Sequence, residues 1–159
     1  MKCVPSLSLA LLLTVGLAVP LGAQATAIPY REGSVWNLTF VRVKPGMDDD
    51  YLNNLRVNWK RINDVARRQG LVRSYKVISA TAANRDDWDL LLMVEYKNMA
   101  ALDSLREKFE PIQEQIVGQQ SEQRSRAIQR NQIREIIGGK LGRELILRDS
   151  VTGVRSRAP

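Results

Sequence analysis

The hydrophobic positions of the chain change repeatedly between the two-residue period of a strand and the three- to four-residue period of a helix. The first pattern covers residues 35–43, where β-branched and aromatic residues predict a strand that ends at the turn 44–46. Large apolar side chains occupy one side of this strand and polar side chains the other: Trp36, Leu38 and Phe40 against Asn37 and Thr39.

A helix is predicted to follow the turn. Three aspartates, at positions 48–50, fall in its first turn, where the helix dipole favours negative charge. Gly70 supplies a C-terminal stop, because glycine adopts the left-handed conformation that ends many helices. Between these signals, apolar residues recur at steps of three and four and form one stripe: Leu52, Leu55, Trp59, Ile62 and Ala66.

Two further strands are predicted over residues 71–80 and 88–97, with a polar loop at 81–87 between them. Alternate residues of the second of these strands form a wholly apolar side: Trp88, Leu90, Leu92, Val94 and Tyr96. The opposite side is mixed: Asp89, Leu91, Met93, Glu95 and Lys97. The third strand therefore has one face suited to a core and one suited to solvent or a partner.

A second amphipathic helix is predicted after Asn98, which is a favourable N-cap residue, and its apolar stripe runs from Leu102 to Ile116. Pro111 is expected to kink or divide this helix, because proline cannot donate the backbone hydrogen bond of a helix interior.

The segment 119–130 is polar and arginine-rich and predicts an exposed helix. The pattern at 133–137 leaves helix and short strand open, with helix favoured. The last strand is predicted over 141–148, after the glycine pair 138–139.

The order of these elements predicts an α+β fold, a ferredoxin-like βαββαβ sandwich with a four-stranded antiparallel sheet and an extra helical segment before the last strand. Two helices cover only one face of such a sheet. The other face is predicted to carry Val41, Val43, Leu91 and Met93 beside polar groups, and we expect a second copy of the chain to cover it as a homodimer.

Two segments carry a resemblance to a known family. The sequence V-R-V-K-P-G-M-D-D-D-Y-L at 41–52 resembles the first strand, turn and helix of the dimeric α/β-barrel superfamily, and W-D-L-L-L-M-V-E-Y-K-N-M-A-A-L at 88–102 resembles its third strand and second helix. The superfamily includes antibiotic-biosynthesis-type monooxygenases and haem-degrading enzymes, and the resemblance covers about residues 35–148. It implies that two open sheet faces pair around a barrel-like cavity. The long arginine-rich insertion departs from compact members.

The haem-degrading members imply an asparagine on the first strand and a tryptophan, for which Asn37 and Trp88 are the matching residues here. Those enzymes ligate iron with a histidine, and this chain contains no histidine. The resemblance therefore does not extend to a haem site.

The two ends of the chain have a different character from the centre. Residues 1–27 predict a signal peptide, because one lysine precedes an apolar run of about 13 residues, too short to span a membrane, and small residues allow cleavage after Ala25 or Ala27. Residues 28–148 form the predicted single domain, and 149–159 a disordered tail. We therefore expect an exported protein, periplasmic or extracellular.

Composition excludes several chemistries. The chain has no histidine and one cysteine, Cys3, which lies in the predicted signal peptide, so serine–histidine and cysteine–histidine catalysis are ruled out, as are most zinc, copper and haem sites. The aspartates Asp86, Asp87 and Asp89 lack the spacing of a calcium loop and are interpreted as turn residues. No metal and no cofactor is expected.

Seven residues are the candidates for ligand contact, because they combine hydrogen-bonding or polarisable side chains with places on the sheet face that is expected to be open. An apolar dimer interface with a few polar groups is the alternative interpretation of the same set. The residues are Asn37, Thr39, Arg73, Tyr75, Asp89, Met93 and Glu95.

Three functions remain open. The first is a non-catalytic binding or interaction domain for a small apolar ligand. The second is a cofactor-independent oxygenase in which Asn37 and Tyr75 stabilise developing charge. The third is a basic protein whose arginines between Arg124 and Arg148 contact anionic envelope lipids, because the formal net charge is +7 and stays strongly positive without Lys2. Nucleic acid is not an expected partner of an exported protein.

Overall fold

The computed structural model of the chain describes residues 28–149. The predicted signal peptide at 1–27 and the tail beyond Asp149 lie outside the described residues. The described part is an α+β structure built on one four-stranded antiparallel sheet, with the strand order β2-β3-β1-β4. Its strands are β1 (Tyr30–Val43), β2 (Ser74–Ser79), β3 (Leu90–Tyr96) and β4 (Arg134–Leu147).

The helices connect these strands and pack on one face of the sheet. A continuous helical run follows β1 and consists of α1 (Asp48–Asn54), a wider π-helical stretch (Leu55–Lys60) and α2 (Arg61–Arg68). After β3 come a short 3₁₀ helix (Met99–Leu102), α3 (Leu105–Val117) and α4 (Gln120–Ile133), and α4 leads directly into β4.

Several local signals act as the sequence predicts. Gly46 and Gly70 both have positive φ, +77° in the turn before α1 and +74° after α2, a region that favours glycine. The Asn98 side chain accepts a hydrogen bond from the Ala101 backbone N–H and so caps the 3₁₀ helix. The segment 119–130 is helical as predicted, and α4 contains no buried residue.

The prediction that residues 133–137 favour helix is wrong beyond Ile133, because β4 begins at Arg134. The glycine pair 138–139, predicted to precede the last strand, lies inside β4. The reason is tertiary: β1 is 14 residues long, and its free edge pairs with β4 from Tyr30 to Val43. The register of β1 against β4 shifts next to Phe40, as at a β-bulge.

Pro111 does not divide the second predicted helix, because α3 runs unbroken through it. The missing N–H of Pro111 leaves the Glu107 carbonyl without its hydrogen-bond donor in the helix. Both residues are exposed, so water can donate to that carbonyl. The division comes earlier, at Ser104, whose φ is +52° and which separates the 3₁₀ helix from α3.

The register of β1 against β3 overturns the predicted assignment of sheet faces. Asn37 pairs with Val94 and Thr39 with Leu92, and directly paired residues share a face. Asn37, Thr39, Val41 and Val43 therefore lie on the helix-covered face, and not beside Met93 and Glu95 as predicted. Alternation alone could not decide this, because strand β1 carries large apolar side chains on both sides: Val35, Val41 and Val43 on one, and Trp36, Leu38 and Phe40 on the other.

Trp88 was predicted on the core side of the third strand, and this too is wrong. The strand begins two residues later, at Leu90, and the Trp88 ring packs edge-on against Phe40 with the ring centroids 5.7 Å apart. Phe40 pairs with Leu91 on the open face, so Trp88 lies at the edge of that face.

Two apolar clusters form the core between the sheet and the helices, and Trp59 packs against both. The buried members of the first are Val35, Ala66, Val72, Val94, Tyr96 and Ile112. The buried members of the second are Val41, Val43, Tyr51, Leu55, Leu90 and Leu92. The stretch of β1 between Val35 and Val41 therefore passes from one cluster to the other.

Candidate ligand cavity

A cavity of about 1220 Å³ lies between the helix-covered face of the sheet and α4. Its floor is formed by strands β1 and β3: Asn37, Thr39, Val41, Leu92, Val94 and Tyr96. The helical run 48–68 and α3 form its sides, mainly with Tyr51, Asn54, Asn58, Trp59, Ile62, Asn63, Phe109, Gln113 and Val117. Helix α4 and the start of β4 form its remaining wall, with residues that include Gln120, Arg124, Ile128, Arg130, Arg134 and Ile136.

The floor of the cavity is polar where a continuous core would be apolar. Asn37 is exposed and Thr39 is half-buried, although both lie on the face that the helices cover. Val35 and Val41, on either side of them along β1, are fully buried. The two core clusters thus leave a gap between them, and the amide and hydroxyl groups of Asn37 and Thr39 face this gap.

Buried asparagines line the helical side of the cavity. Asn58 and Asn63 are only 6% and 4% exposed. The Asn63 side-chain amide donates to the Trp59 carbonyl at 2.8 Å, and the Asn58 side-chain oxygen accepts from Arg126 Nη1 of α4 at 3.4 Å. Asn58 belongs to the π-helical stretch, a local widening that occurs frequently at functional sites.

Three residues meet at the end of the cavity where α4 joins β4. Tyr51 is 2% exposed, and the Arg134 guanidinium carbon lies 5.8 Å from the centre of its ring. Burial raises the pKa of Tyr51, against the opposing effect of the Arg134 and Arg130 cations. Burial, together with the adjacent Arg134 cation, lowers the pKa of Arg130. Arginine side chains keep their charge in proteins near neutral pH, because the guanidinium group is too strong a base to lose its proton.

Sequence reasoning did not single out Tyr51, Arg130 or Arg134. A signal was present, since Arg126, Arg130 and Arg134 recur every fourth residue. Like charges at this spacing destabilise a solvated helix, so their repetition indicates that something other than helix stability determines them. The contact with Tyr51 joins elements about 80 residues apart and was not readable from any local pattern.

The seven predicted ligand residues do not come together in one place. Asn37 and Thr39 line the cavity. Tyr75 lies on the same face but is not among the lining residues: its hydroxyl donates to Asp64 at 2.5 Å and its ring packs edge-on against Trp59. Asp64 thus holds the Tyr75 hydroxyl outside the lining of the cavity that Asn37 faces, and a joint role of the two residues in an oxygenase stays a prediction.

The other four predicted residues lie away from the cavity. Arg73 pairs with Glu95 across 3.8 Å, and Asp89 accepts hydrogen bonds from the Val43 backbone N–H at 3.0 and 3.1 Å. Met93 lies on the open face opposite Leu38. Burial raises the pKa of Glu95, but a hydrogen bond from Ser74 at 2.5 Å and the Arg73 charge outweigh burial and leave it below its ordinary value.

The loop before β3 shows what its aspartates do. The Asp87 side chain accepts hydrogen bonds from the backbone N–H groups of Ala83 and Trp88, at 2.9 Å each, and holds the loop closed. Within residues 28–149 there is no group of three or more histidine, cysteine, aspartate or glutamate side chains that could hold a metal ion.

The arginines between Arg124 and Arg148 are divided among different places. Three of them line the cavity, Arg143 pairs with Glu32 of β1, and Arg126 contacts Asn58. No helix in the described part of the chain is both long and apolar enough to cross a bilayer.

Comparison with known proteins supplies no assignment. The chain matches no family model, and no curated protein matches it. The geometry and chemistry of the cavity therefore carry the functional argument.

Proposed function

We propose that this protein binds a small, largely apolar organic molecule in the cavity between its sheet and α4, without catalysis. The observation that carries the proposal is the gap between the two core clusters, floored by Asn37 and Thr39 and covered by a helix that buries none of its own residues. A tightly packed domain of this size would fill such a space with side chains. Ligand sites in proteins are commonly concave, mostly apolar and about 300–1,000 Å³ in volume, and this cavity of about 1220 Å³ lies above that range, large enough for a ligand of this class.

The lining suits a ligand with an apolar body and a few polar atoms. Trp59 and Phe109 offer aromatic surfaces, and Val94 and Ile62 offer aliphatic ones. Asn37, from the floor, can both donate and accept a hydrogen bond. This division of labour, in which apolar contacts supply affinity and a few polar groups fix orientation, is typical of small-molecule sites.

The proposal includes a finer description of the fold and its assembly. The strand order β2-β3-β1-β4 with helices on one face supports a ferredoxin-like βαββαβ domain of the dimeric α/β-barrel type. Export through the predicted signal peptide, with action in the periplasm or outside the cell, is part of the same proposal.

We propose a second copy of the chain as the occupant of the open sheet face. Among the described residues, the half-buried Trp36, Leu38, Phe40 and Met93 of this face pack against neither core cluster. The face also carries charges of both signs, with Lys76 opposite Met93 and Lys140 opposite Leu38 on neighbouring strands, and Glu95 opposite Trp36. A two-fold contact can set the lysines of one copy against the carboxylate of the other.

Cavity binding is tested with the neutral fluorescent probe N-phenyl-1-naphthylamine, whose emission rises in apolar surroundings. We expect saturable binding by the purified protein. Thr39→Phe, which fills the floor, should weaken binding about tenfold or more, that is, by about 1.4 kcal/mol. Ile128→Trp fills the space from α4, where Ile128 is 56% exposed, and carries little risk to folding.

Leu38→Phe is the matched control, because it adds a ring at the neighbouring position of the same strand but on the open face. It should leave the affinity within about twofold, a difference of less than about 0.5 kcal/mol. Unchanged binding by both cavity variants, or loss of binding by Leu38→Phe alone, would show that the probe does not occupy the cavity.

A further inference from the structure

The end of the cavity where α4 joins β4 holds positive charge that no described carboxylate neutralises. Arg134 Nε and Nη1 are shielded from solvent and have no hydrogen-bond partner among the described residues. Within residues 28–149, neither Arg130 nor Arg134 forms an ion pair with a carboxylate. No aspartate or glutamate is among the described residues that line the cavity, whereas three arginines are.

The neighbouring Tyr51 does not supply the missing negative charge. Burial raises its pKa, so its hydroxyl stays neutral at physiological pH. Its ring offers the Arg134 guanidinium a cation–π contact with 5.8 Å between the guanidinium carbon and the ring centre, which offsets only part of the cost of burying a cation.

Elsewhere in the described part of the chain, half-buried charged side chains have an ion-pair or a hydrogen-bond partner. Asp64 contacts Lys60 at 2.6 Å and Arg67 at 3.7 Å, and Glu95 pairs with Arg73. An arginine cannot escape burial by losing its proton, because its pKa is too high. The charge at Arg130 and Arg134 is therefore left for an anion from outside the chain.

We propose that the ligand is an organic anion, with one acidic group at Arg130 and Arg134 and an apolar body that extends along Trp59 and Phe109. This inference rests on the proposed function, since it names the chemical class of the molecule in the same cavity. A guanidinium group binds a carboxylate or a similar oxyanion through charge-assisted hydrogen bonds, and the orientation of the ligand follows from this contact.

The test compares two probes that differ by one acidic group: 8-anilino-1-naphthalenesulfonate and the neutral N-phenyl-1-naphthylamine. We expect the wild-type protein to bind the sulfonate at least about tenfold more tightly, because hydrogen bonds to charged groups contribute more than neutral ones. Arg130→Gln and Arg134→Gln should each weaken sulfonate binding about tenfold and leave binding of the neutral probe within about twofold.

Arg106→Gln is the matched control, since Arg106 is exposed on α3, does not line the cavity and loses the same charge. It should change neither affinity. The melting temperature of the protein without ligand distinguishes an arginine that binds the ligand from one that stabilises the fold. Removal of an uncompensated charge should leave this temperature unchanged or raise it for Arg130→Gln and Arg134→Gln.

Two failures can be told apart. Equal affinity for both probes, unaffected by the arginine variants, would overturn the anionic ligand and leave cavity binding intact. Absence of binding by either probe would overturn the proposed function itself. A fall in melting temperature with loss of both affinities would assign the arginines to folding and would likewise overturn the anion site.

Discussion

At the scale of single residues, the candidate site could be predicted by residue type but not by position. Asn37 and Thr39 were singled out because they have hydrogen-bonding side chains on the sheet face that was expected to be open, and both line the cavity. The sheet face on which these two residues lie was predicted wrongly, because β1 carries apolar side chains on both sides. Only the pairing of Asn37 with Val94, a contact between distant segments, decides which side is covered.

The Asp64 carboxylate gives a residue-scale prediction about pH. Hydrogen bonds from Lys60 and Tyr75 lower its pKa in the folded protein. A lowered folded pKa adds stability that is complete above the ordinary aspartate value of about 3.9 and is lost as the pH falls through the folded pKa. Asp64→Asn should therefore lower the free energy of unfolding by roughly 1 kcal/mol at pH 7.

The difference between Asp64→Asn and wild type should shrink as the pH falls below about 3.9, because the carboxyl gains a proton there in the unfolded chain and at lower pH in the folded protein. Chemical denaturation at pH 7 and at pH 3 measures it. Asp86→Asn is the control, because Asp86 is exposed in the loop at 81–87. A difference that is the same at both pH values would contradict a contribution from the ionised carboxylate.

At the scale of elements, the order of helices and strands followed from periodicity, but their ends depended on partners. Residues 134–140 extend β4 because the free edge of β1 offers hydrogen bonds to them, and no local pattern reveals that edge. Helix α4 was predicted from its polar sequence, and the same polarity gave no sign that the helix lines a cavity. Its arginines are typical of a solvated helix face, but Arg124 and Arg130 line the cavity in the structure.

Gly118 determines how α4 is attached to α3. Its φ of +109° with ψ of −170° lies in a region that only glycine adopts readily, and an added Cβ would meet the Glu122 carboxylate. That carboxylate accepts a hydrogen bond from the Gln119 backbone N–H and caps α4. Gly118→Ala should cost about 1–3 kcal/mol, concentrated at the start of α4.

Amide hydrogen exchange followed by mass spectrometry measures the effect of Gly118→Ala on each element. We expect faster exchange across α4 and unchanged exchange in β3, because α4 buries no residue and can open alone. Gly142→Ala serves as the control, since a Cβ there meets nothing within 4 Å. Unaltered protection of α4 in Gly118→Ala would show that this joint does not hold the helix.

At the scale of the whole molecule, the sequence correctly predicted that the helices within residues 28–149 cover only one face of the sheet. The described residues leave the face of Trp36, Leu38 and Met93 without a second layer. The cavity that the structure shows lies on the helix-covered side, whereas the barrel-like cavity expected between two copies stays a prediction. It forms within one chain because the buried residues of the two core clusters are separate and Trp59 bridges them, a property of packing that hydrophobic periodicity does not reveal.

The proposed dimer makes a prediction about mass in solution. Met93→Glu places a carboxylate in the centre of the open face and should shift the protein from dimer to monomer in sedimentation-velocity experiments, because an unpaired charge in an apolar contact costs several kcal/mol. Glu107→Gln on the exposed side of α3 should leave the mass unchanged. A wild-type protein that is monomeric at high micromolar concentration would contradict the dimer and leave the cavity proposal unaffected.

The three tryptophans allow the most direct test of where a ligand binds, because their indole N–H signals are resolved in a ¹H–¹⁵N correlation spectrum. Trp59 lines the cavity, whereas Trp36 and Trp88 contact Lys76 and Phe40 of the open face. Titration with N-phenyl-1-naphthylamine should shift the Trp59 indole signal and the Asn37 side-chain amide signals with one saturation curve. Shifts confined to the indole signals of Trp36 and Trp88 would place the molecule on the open face and contradict binding in the cavity.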